Sequence, residues 1–120
     1  MTIPRLLFLR SMRVTKKKDF DAIYASTQCR RTKNLTIHAR QNGESLTRLG
    51  LSVPKKIGNA VIRNSVKRKV REAFRHVYDS MPLGYDIVVT LHKDGELKRE
   101  AYEELLVSVL REYDLKCKNE

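Results

Sequence analysis

The hydrophobic repeat of this sequence changes character at Pro54, and that change limits the folds open to the chain. Before Pro54, apolar and polar residues alternate in Leu35–Gln41 and again in residues 48–53, which is typical of half-buried strands. After Pro54, apolar residues recur at helical spacing from residue 60 to about residue 79, which is typical of an amphipathic helix. A chain with both repeats in separate segments is predicted to be α+β, with helices packed on a sheet.

Two further helices are predicted, one at each end of the chain. We expect the first at residues 16–25, capped by Thr15, because Phe20, Ile23 and Tyr24 share one face. Pro82 and Gly84 end the central helix. The last helix is predicted at residues 97–115, with a broad apolar side formed by Tyr102, Leu105, Leu106, Val109, Leu110 and Tyr113.

The strand-like segments predict one sheet. Asn42-Gly43 is a strong turn signal, so Leu35–Gln41 and residues 48–53 are expected to form an antiparallel hairpin. Tyr85–Leu91 is a β-rich run that should be largely buried, and residues 26–34 are a loop or an irregular edge strand. The predicted fold is a two-layer α/β sandwich, in which helices pack on one mainly antiparallel four-stranded sheet.

Positive charge is concentrated in two parts of the sequence. The net charge is +11, with 25 Lys and Arg against 14 Asp and Glu, and the isoelectric point is about 10.0. Residues 1–34 and 55–75 each carry +7, whereas residues 76–120 carry −4. This distribution is typical of a polyanion-binding domain, and we expect it to present one face to a phosphate backbone and the other to solvent.

The central helix separates an apolar stripe from a basic surface. Four cations at i, i+4 spacing repel one another, at a cost of about 0.2–0.5 kcal/mol per pair, so an anionic partner is the better explanation for them. The cations are Arg63, Lys67, Arg71 and Arg75, with Asn64 and Arg68 on the far side. The stripe predicted to face the core is Ile62, Val66, Val70, Ala73, Phe74 and Val77.

Several classes of protein fit the sequence poorly. The apolar run at residues 6–9 is too short for a secretion signal or a membrane span, so we expect a cytoplasmic protein with no membrane association. Cys29 and Cys117 lack the spacing of a disulfide framework or a zinc site. No helix-turn-helix or dimerisation segment accompanies the basic helix, which argues against DNA binding.

A protein-only nuclease is also disfavoured. Such an enzyme needs clustered carboxylates or histidines to hold metal or activate water. The available groups show no ligand spacing; they are Asp19, Asp21, Asp86, His38, His76 and His92. We therefore assign no catalytic residue and no metal ligand to this chain.

Residues 55–74 read KKIGNAVIRNSVKRKVREAF, a stretch that closely resembles the Arg-Asn-Arg signature helix of the ribonuclease P protein family. The flanking segments are similar too, in Arg13, in Asp19-Phe20, in the strand RLGLSV at residues 48–53 and in YDIVV at residues 85–89. The resemblance covers roughly residues 13–113 in order and spacing, which makes it far more specific than a short motif.

The resemblance implies the protein subunit of a ribonucleoprotein that removes the 5′ leader of precursor tRNA. Its fold would be an α/β sandwich with a left-handed βαβ crossover, similar to a domain of a ribosomal small-subunit protein. A large RNA would be the catalyst, and Mg²⁺ held mainly by that RNA and the substrate would activate water. The partners would be the catalytic RNA and precursor tRNA, with no evident protein partner.

The resemblance also implies two sets of site residues. The catalytic RNA would be bound by Lys55, Lys56, Asn59, Arg63, Asn64, Lys67, Arg68 and Arg71. The leader would lie in a cleft lined by Phe20, Tyr24, Leu35, Ile37 and His38, where aromatic faces stack on bases without reading sequence. Core packing stays open as the alternative role of Phe20 and Tyr24.

The chain departs from the family pattern at a few positions. Ser65 replaces a usual basic residue, Lys69 stands at an often apolar position, and Leu35 and His38 stand where relatives often carry aromatics. We expect an N-terminal arm at residues 1–12, one RNA-binding domain at residues 13–116 and a tail at residues 117–120. The alternative function is a structural RNA-binding protein of ribosomal type without a processing role.

Overall fold

A computed structural model describes residues 12–25, 28–92 and 98–119 of the chain. The predicted α+β class is confirmed, with one four-stranded sheet and three helices in these ranges. The elements are α1 (Lys17–Tyr24), β1 (Cys29–Arg31), β2 (Leu35–Gln41), β3 (Arg48–Ser52), α2 (Ala60–Val77), β4 (Tyr85–Leu91) and α3 (Arg99–Asn119), with short 3-10 turns at Lys55–Ile57 and Tyr78–Ser80.

The strand order in the sheet is β1-β2-β4-β3. β2 pairs antiparallel with β1 and with β4, whereas β3 pairs parallel with β4. The β3-α2-β4 segment is therefore a βαβ crossover, whose left-handed sense stays a prediction from the resemblance. The sheet is mainly antiparallel, as expected.

The predicted hairpin between β2 and β3 is wrong, because β4 lies between these two strands. Six of the seven residues of β4 are buried, so this strand takes a central position covered on both faces. The turn at Asn42-Gly43 does exist, with Gly43 at φ 72°. It opens a longer connection in which the Asn42 side chain donates to the Leu46 carbonyl at 3.0 Å.

The two faces of the sheet carry different helices. Residues 35, 37 and 39 of β2 and residues 85, 87, 89 and 91 of β4 face α2 and α3, and these side chains form the main core. The intervening residues face α1, where Ile23 packs with Val14 and Val88 in a second, smaller core cluster. Because α1 has only eight residues, it covers part of this second face and leaves the rest for other contacts.

α1 begins one residue later than predicted. Lys16, rather than Thr15, is the N-cap residue, and no side chain caps the helix. Its first turn closes by hydrogen bonds from the Asp19 and Phe20 amides to the Lys16 carbonyl. The chain up to Val14 is still extended beside β3, with the Val14 amide bonded to the Leu49 carbonyl at 3.0 Å, so Thr15 lies outside the helix start.

α2 begins as the sequence predicts. The Asn59 carboxamide oxygen accepts a hydrogen bond from the Ile62 amide at 3.0 Å, which is a standard N-cap. Gly58 precedes it at φ 156°, ψ −169°, a conformation that is essentially restricted to glycine. These two residues set the direction in which α2 leaves the preceding loop.

Ile62 does not belong to the core stripe, because 37% of it is exposed. It packs over Gly58, where an added Cβ would come within 2.9 Å of its Cδ1 atom. The buried stripe therefore begins one turn later, and its fully buried members are Val66, Val70, Ala73 and Phe74.

The last helix packs as expected, with Tyr102, Leu106, Val109 and Leu110 buried and Leu105 and Tyr113 partly buried. Its predicted start at Leu97 lies outside the described residues, as does the predicted arm up to residue 11. Met12, at the end of that arm, is 1% exposed and belongs to the core. None of the described helices combines the length and apolar character needed to cross a membrane.

Candidate RNA-binding surfaces

The first candidate surface is the side of α2 that faces away from the sheet. Asn64 and Arg68 are exposed there, and Arg63, Lys67 and Arg71 are half-buried along one flank. Lys55 and Lys56 are exposed in the 3-10 turn before the helix. The structure thus brings the predicted cations and Asn64 to one continuous surface, which we call the α2 surface.

Two residues of the predicted set also have structural roles. Asn59 uses its side-chain oxygen to cap α2. Arg63 donates from Nε to the Gly58 carbonyl at 3.2 Å and so ties the helix to the loop that carries Lys55 and Lys56. Arg63 therefore helps to position the loop and Asn59 caps the start of the helix, whereas the Arg68 side chain is exposed at the surface.

The α2 surface continues onto a residue that sequence reasoning left out of the site. A shallow groove is lined by Arg13, Asn64, Arg68, Arg71, Glu72 and Arg75. Burial lowers the pKa of Arg71, and the nearby positive charge of Arg13 lowers it further. Like charges held this close favour an anionic ligand. The charge of +7 in residues 1–34 was the available signal for Arg13.

The second candidate surface lies on the opposite face of the sheet, beside α1. Tyr24 is 39% exposed, and its ring centroid lies 5.1 Å from that of His38 on β2, edge to face. The Tyr24 hydroxyl lies 3.4 Å from the Thr90 hydroxyl on β4. Burial lowers the pKa of His38, which favours its neutral form. We call this region the α1 cleft.

Phe20 has a more structural position than Tyr24. Its ring lies over Gly50 of β3, where an added Cβ would come within 2.9 Å of the ring. Its centroid is 6.3 Å from that of Tyr24. Phe20 is half-buried and packs against the smaller core cluster, so it anchors α1 to the sheet as well as bordering the α1 cleft.

Leu35 and Ile37 do not line the α1 cleft, and their predicted assignment is corrected. They are 0% and 1% exposed and belong to the main core under α2 and α3. The physical reason is the two-residue repeat of a strand, which sends residues 35 and 37 to one face of β2 and His38 to the other.

The floor of the α1 cleft contains polar residues that the sequence did not single out. Thr36, Thr90 and Ser52 lie on the same face of adjacent strands as His38, by the register of the sheet. The Thr36 hydroxyl and His92 Nε2 are 2.5 Å apart. Cys29 pairs with His38 across the β1–β2 ladder and is exposed. Alternation within β2 and β4 was the signal for these residues, but it required the correct pairing.

A buried ion pair lies on this same face of the sheet, near the start of α1. Asp86 is 0% exposed and accepts from Arg48 Nε at 2.8 Å, from Arg48 Nη2 at 2.7 Å and from Asn42 Nδ2 at 2.9 Å. Burial alone would raise the pKa of Asp86, but these bonds and the charges of Arg48 and Arg40 outweigh it and lower the pKa. The bond to Asp86 in turn raises the pKa of Arg48.

Within residues 12–25, 28–92 and 98–119, no three His, Cys, Asp or Glu side chains come together as a metal site would require. The α2 surface is a row of guanidinium and ammonium groups, which suits an extended polyanion. The α1 cleft instead combines aromatic rings, an imidazole and hydroxyls.

Comparison with known proteins places this combination in one family. The family model described as ribonuclease P matches residues 8–114. The ribonuclease P protein component of Brevibacillus brevis is 38% identical over 104 residues, covering 85% of this chain and 82% of that protein. The corresponding protein of Aliivibrio fischeri is 38% identical over 100 residues, covering 82% and 86%.

Solved structures agree with the sequence comparison. The ribonuclease P protein of Staphylococcus aureus superposes with a TM-score of 0.70 at 33% identity, covering 83% of this chain and 93% of that chain. The protein from Thermotoga maritima superposes with a TM-score of 0.72 at 31% identity, covering 83% and 96%.

Proposed function

This chain belongs to the ribonuclease P protein family, and on that premise we propose that its two sheet faces bind two different RNAs. The chain is the protein subunit of an RNA-based endoribonuclease in tRNA processing, and it is not itself the catalyst. Its partner is the ribonuclease P RNA. Family membership thereby decides against a ribosomal structural protein.

The α2 surface is the face that we assign to the catalytic RNA. Lys55, Lys56, Asn64, Lys67 and Arg68 project from one helix and the loop before it. A rigid helix holds charges at fixed spacing, so it matches the phosphates of a folded RNA better than those of a flexible strand. Arg63 contributes by holding the loop and Asn59 by capping the helix, and Arg71 extends the charge along the groove with Arg13.

The α1 cleft is the face that we assign to the 5′ leader of precursor tRNA. The observation that carries this assignment is the exposed ring of Tyr24, held edge to face against His38 above a polar strand floor. An exposed aromatic beside hydroxyls and an imidazole can stack on a splayed base and bond to its sugar without reading sequence. A leader that varies between tRNAs requires this kind of binding.

Mg²⁺ belongs to the RNA part of the particle in this proposal. When bound there, it supplies the activated water and neutralises phosphate charge. The protein side chains position the leader and the catalytic RNA, and they move no proton at the scissile bond. The cytoplasmic location predicted from the sequence is retained as part of the same proposal.

The leader assignment is tested by Tyr24→Leu in the reconstituted particle. This change keeps apolar volume and removes a stacking face, which is worth about 1–3 kcal/mol per base, so affinity for precursor tRNA should fall. Affinity for mature tRNA, which lacks the leader, should stay the same. The measurement is the ratio of the two dissociation constants at fixed salt.

Tyr113→Leu is the matched control, because Tyr113 lies in α3 on the other face and contacts the Tyr85 ring at a centroid distance of 5.3 Å. It loses an aromatic contact without touching the α1 cleft. An unchanged precursor-to-mature ratio in folded Tyr24→Leu would remove Tyr24 from the leader site.

A further inference from the structure

Two buried side-chain atoms lack a hydrogen-bond partner among the described residues, and both lie on the same face of β2. They are Nδ1 of His38 and Nε of Arg40. Residues 38 and 40 point to the α1 side because side chains alternate along a strand. A buried polar group without a partner is uncommon in a folded protein and calls for an explanation. Although Arg40 Nε is buried, 34% of the Arg40 side chain is exposed, so a ligand can reach this side chain from solvent.

Arg40 lies at the edge of a groove that is separate from the α2 surface. The groove is lined mainly by charged and polar side chains; they include Lys16, Lys18, Asp19, Arg40, Glu44 and Arg48. Because α1 begins at residue 17, Lys16 and Lys18 stand at the start of the helix whose other end carries Tyr24. The groove and the α1 cleft therefore lie at opposite ends of α1, over the same face of the sheet.

The carboxylate nearest Arg40 is already occupied. Asp86 accepts two hydrogen bonds from Arg48 at 2.8 and 2.7 Å, whereas the closest approach of Arg40 Nη2 to Asp86 Oδ2 is 3.6 Å. Asp19 lies 3.7 Å from Arg48 as well. Arg48 is thus the cation nearest Asp86 and Asp19, and it also interacts with the charge of Glu44. Arg40 keeps hydrogen-bonding capacity for another anion beside Lys16 and Lys18.

We propose that Arg40, with Lys16 and Lys18, holds a backbone phosphate of the single-stranded leader. This inference rests on the proposed leader site and adds a phosphate contact to it. A guanidinium fork is suited to a phosphate, and the two lysines add positive charge without demanding geometry. From His38 to Arg40 the strand advances two residues, about 6.6–6.8 Å, a distance comparable with one nucleotide step of an extended strand.

The leader is favoured over the catalytic RNA as the source of this phosphate because of position. Arg40 is on the α1 side of β2, in line with His38 and Thr36, whereas the α2 surface is behind the sheet. A strand that stacks on Tyr24 and follows β2 reaches Arg40 next. Stacking surfaces combined with a positively charged groove are the common arrangement for single-stranded nucleic acid.

The test combines a protein change with a charge change in the leader. Precursor tRNAs carry one neutral methylphosphonate at successive leader positions, and affinity is measured in particles with wild-type protein, Arg40→Gln or Lys16→Gln. In the wild type, one position should lose affinity by about tenfold, the value of one charge-assisted hydrogen bond. In Arg40→Gln the same position should be insensitive, because the contact is already lost.

Lys16→Gln is the second variant, which keeps the test valid if Arg40→Gln does not fold. The Lys16 side chain makes no capping bond, and Asp86 keeps Arg48 and Asn42 in either variant. In Lys16→Gln, the loss of affinity caused by the methylphosphonate at the same leader position should be smaller than in the wild type. This reduction should be less than the one seen in Arg40→Gln. Arg111→Gln, which removes one exposed charge from α3 on the other face, is the control and should leave the scan unchanged.

Three outcomes distinguish failure of the leader proposal from failure of the Arg40 phosphate contact. If wild-type protein gives equal affinity for precursor and mature tRNA, the leader proposal itself fails. If the leader matters but the methylphosphonate scan is identical in wild type and Arg40→Gln, only the Arg40 contact is overturned. If Arg40→Gln weakens mature and precursor tRNA binding equally, or weakens binding to the catalytic RNA, the phosphate does not come from the leader and the inference is also overturned.

Discussion

Arg63 and Arg68 lie within two turns of one another on α2, yet they have different surroundings. Arg63 is bonded to the Gly58 carbonyl, whereas Arg68 is exposed on the outer side of the helix. We expect Arg68→Ala to weaken binding to the catalytic RNA by about 1–3 kcal/mol, with thermal stability unchanged. Arg63→Ala should lower both RNA affinity and stability, because it also releases the loop that carries Lys55 and Lys56.

Filter binding at several salt concentrations, together with thermal unfolding, distinguishes the two changes. For Arg68→Ala the slope of log affinity against log salt should fall by about one phosphate equivalent. A large loss of stability in Arg68→Ala with unaltered RNA affinity would make that residue structural.

Asp86 is the fully buried acid of the sheet and forms an ion pair with Arg48. Removing one partner of a buried ion pair leaves an uncompensated charge, so Asp86→Ala should lower the free energy of unfolding by about 3–5 kcal/mol. Asp19 is another acid near Arg48, at 3.7 Å, and its side chain is 20% exposed. Asp19→Ala should therefore cost only about 0–1 kcal/mol. Urea denaturation at neutral pH measures both.

The pH dependence of this effect follows from the lowered pKa of Asp86. The stabilisation is fully present above the ordinary pKa of 3.8, and it is lost as the pH falls through the lower pKa of the folded state. The difference in the free energy of unfolding between wild type and Asp86→Ala should therefore stay constant from neutral pH down to about pH 4 and become smaller below that pH. If Asp86→Ala and Asp19→Ala lower the free energy of unfolding equally at neutral pH, the assignment of Asp86 as the buried partner is contradicted.

At the scale of elements, the position of α1 determines whether an α1 cleft exists. Gly50 lets the Phe20 ring approach β3, since an added Cβ would be 2.9 Å from the ring and 3.0 Å from Val14 Cβ. Gly50→Ala should displace α1 and lower stability by about 1–3 kcal/mol. We also expect it to reduce the precursor-to-mature affinity ratio while leaving catalytic RNA binding intact.

Gly43→Ala is the comparison for that change. Gly43 has φ 72°, and a Cβ added there would meet no atom within 4 Å, so alanine adds only backbone strain. That strain is worth about 1–2 kcal/mol and leaves α1 in place. Both variants should lose stability, and only Gly50→Ala should lose leader discrimination. If Gly50→Ala leaves the precursor-to-mature affinity ratio unchanged, leader binding does not depend on the position of α1.

Most elements could be predicted from local pattern, whereas their pairing could not. Alternation located β2 and β3, and the Asn59 cap located the start of α2, because both signals are local. The hairpin failed because the turn at Asn42-Gly43 is compatible with more than one partner strand, and the burial of β4 on both faces decides the order. Leu35 and Ile37 were misassigned to the cleft because a resemblance gives positions and not faces.

At the scale of the whole molecule, the positive charge is divided between two faces of the sheet. The sequence predicted one basic face and one solvent face. The structure corrects this, because α1 with Lys16 and Lys18 lies on one side and α2 with Arg68 and Arg71 on the other. Two separate basic surfaces are consistent with the proposal that the chain contacts the catalytic RNA on one face and the leader of precursor tRNA on the other.

Site-directed cross-linking tests this division most directly. Cys29 is exposed and pairs with His38 beside the α1 cleft, so in a Cys117→Ser background it accepts a photoactivatable group there. Ser65→Cys, in a background that also carries Cys29→Ser, places the same group on the exposed side of α2. In the reconstituted particle with precursor tRNA, we predict cross-links from Cys29 to leader nucleotides and from position 65 to the catalytic RNA. Leader cross-links from position 65, or cross-links from both positions to the same RNA, would contradict the account.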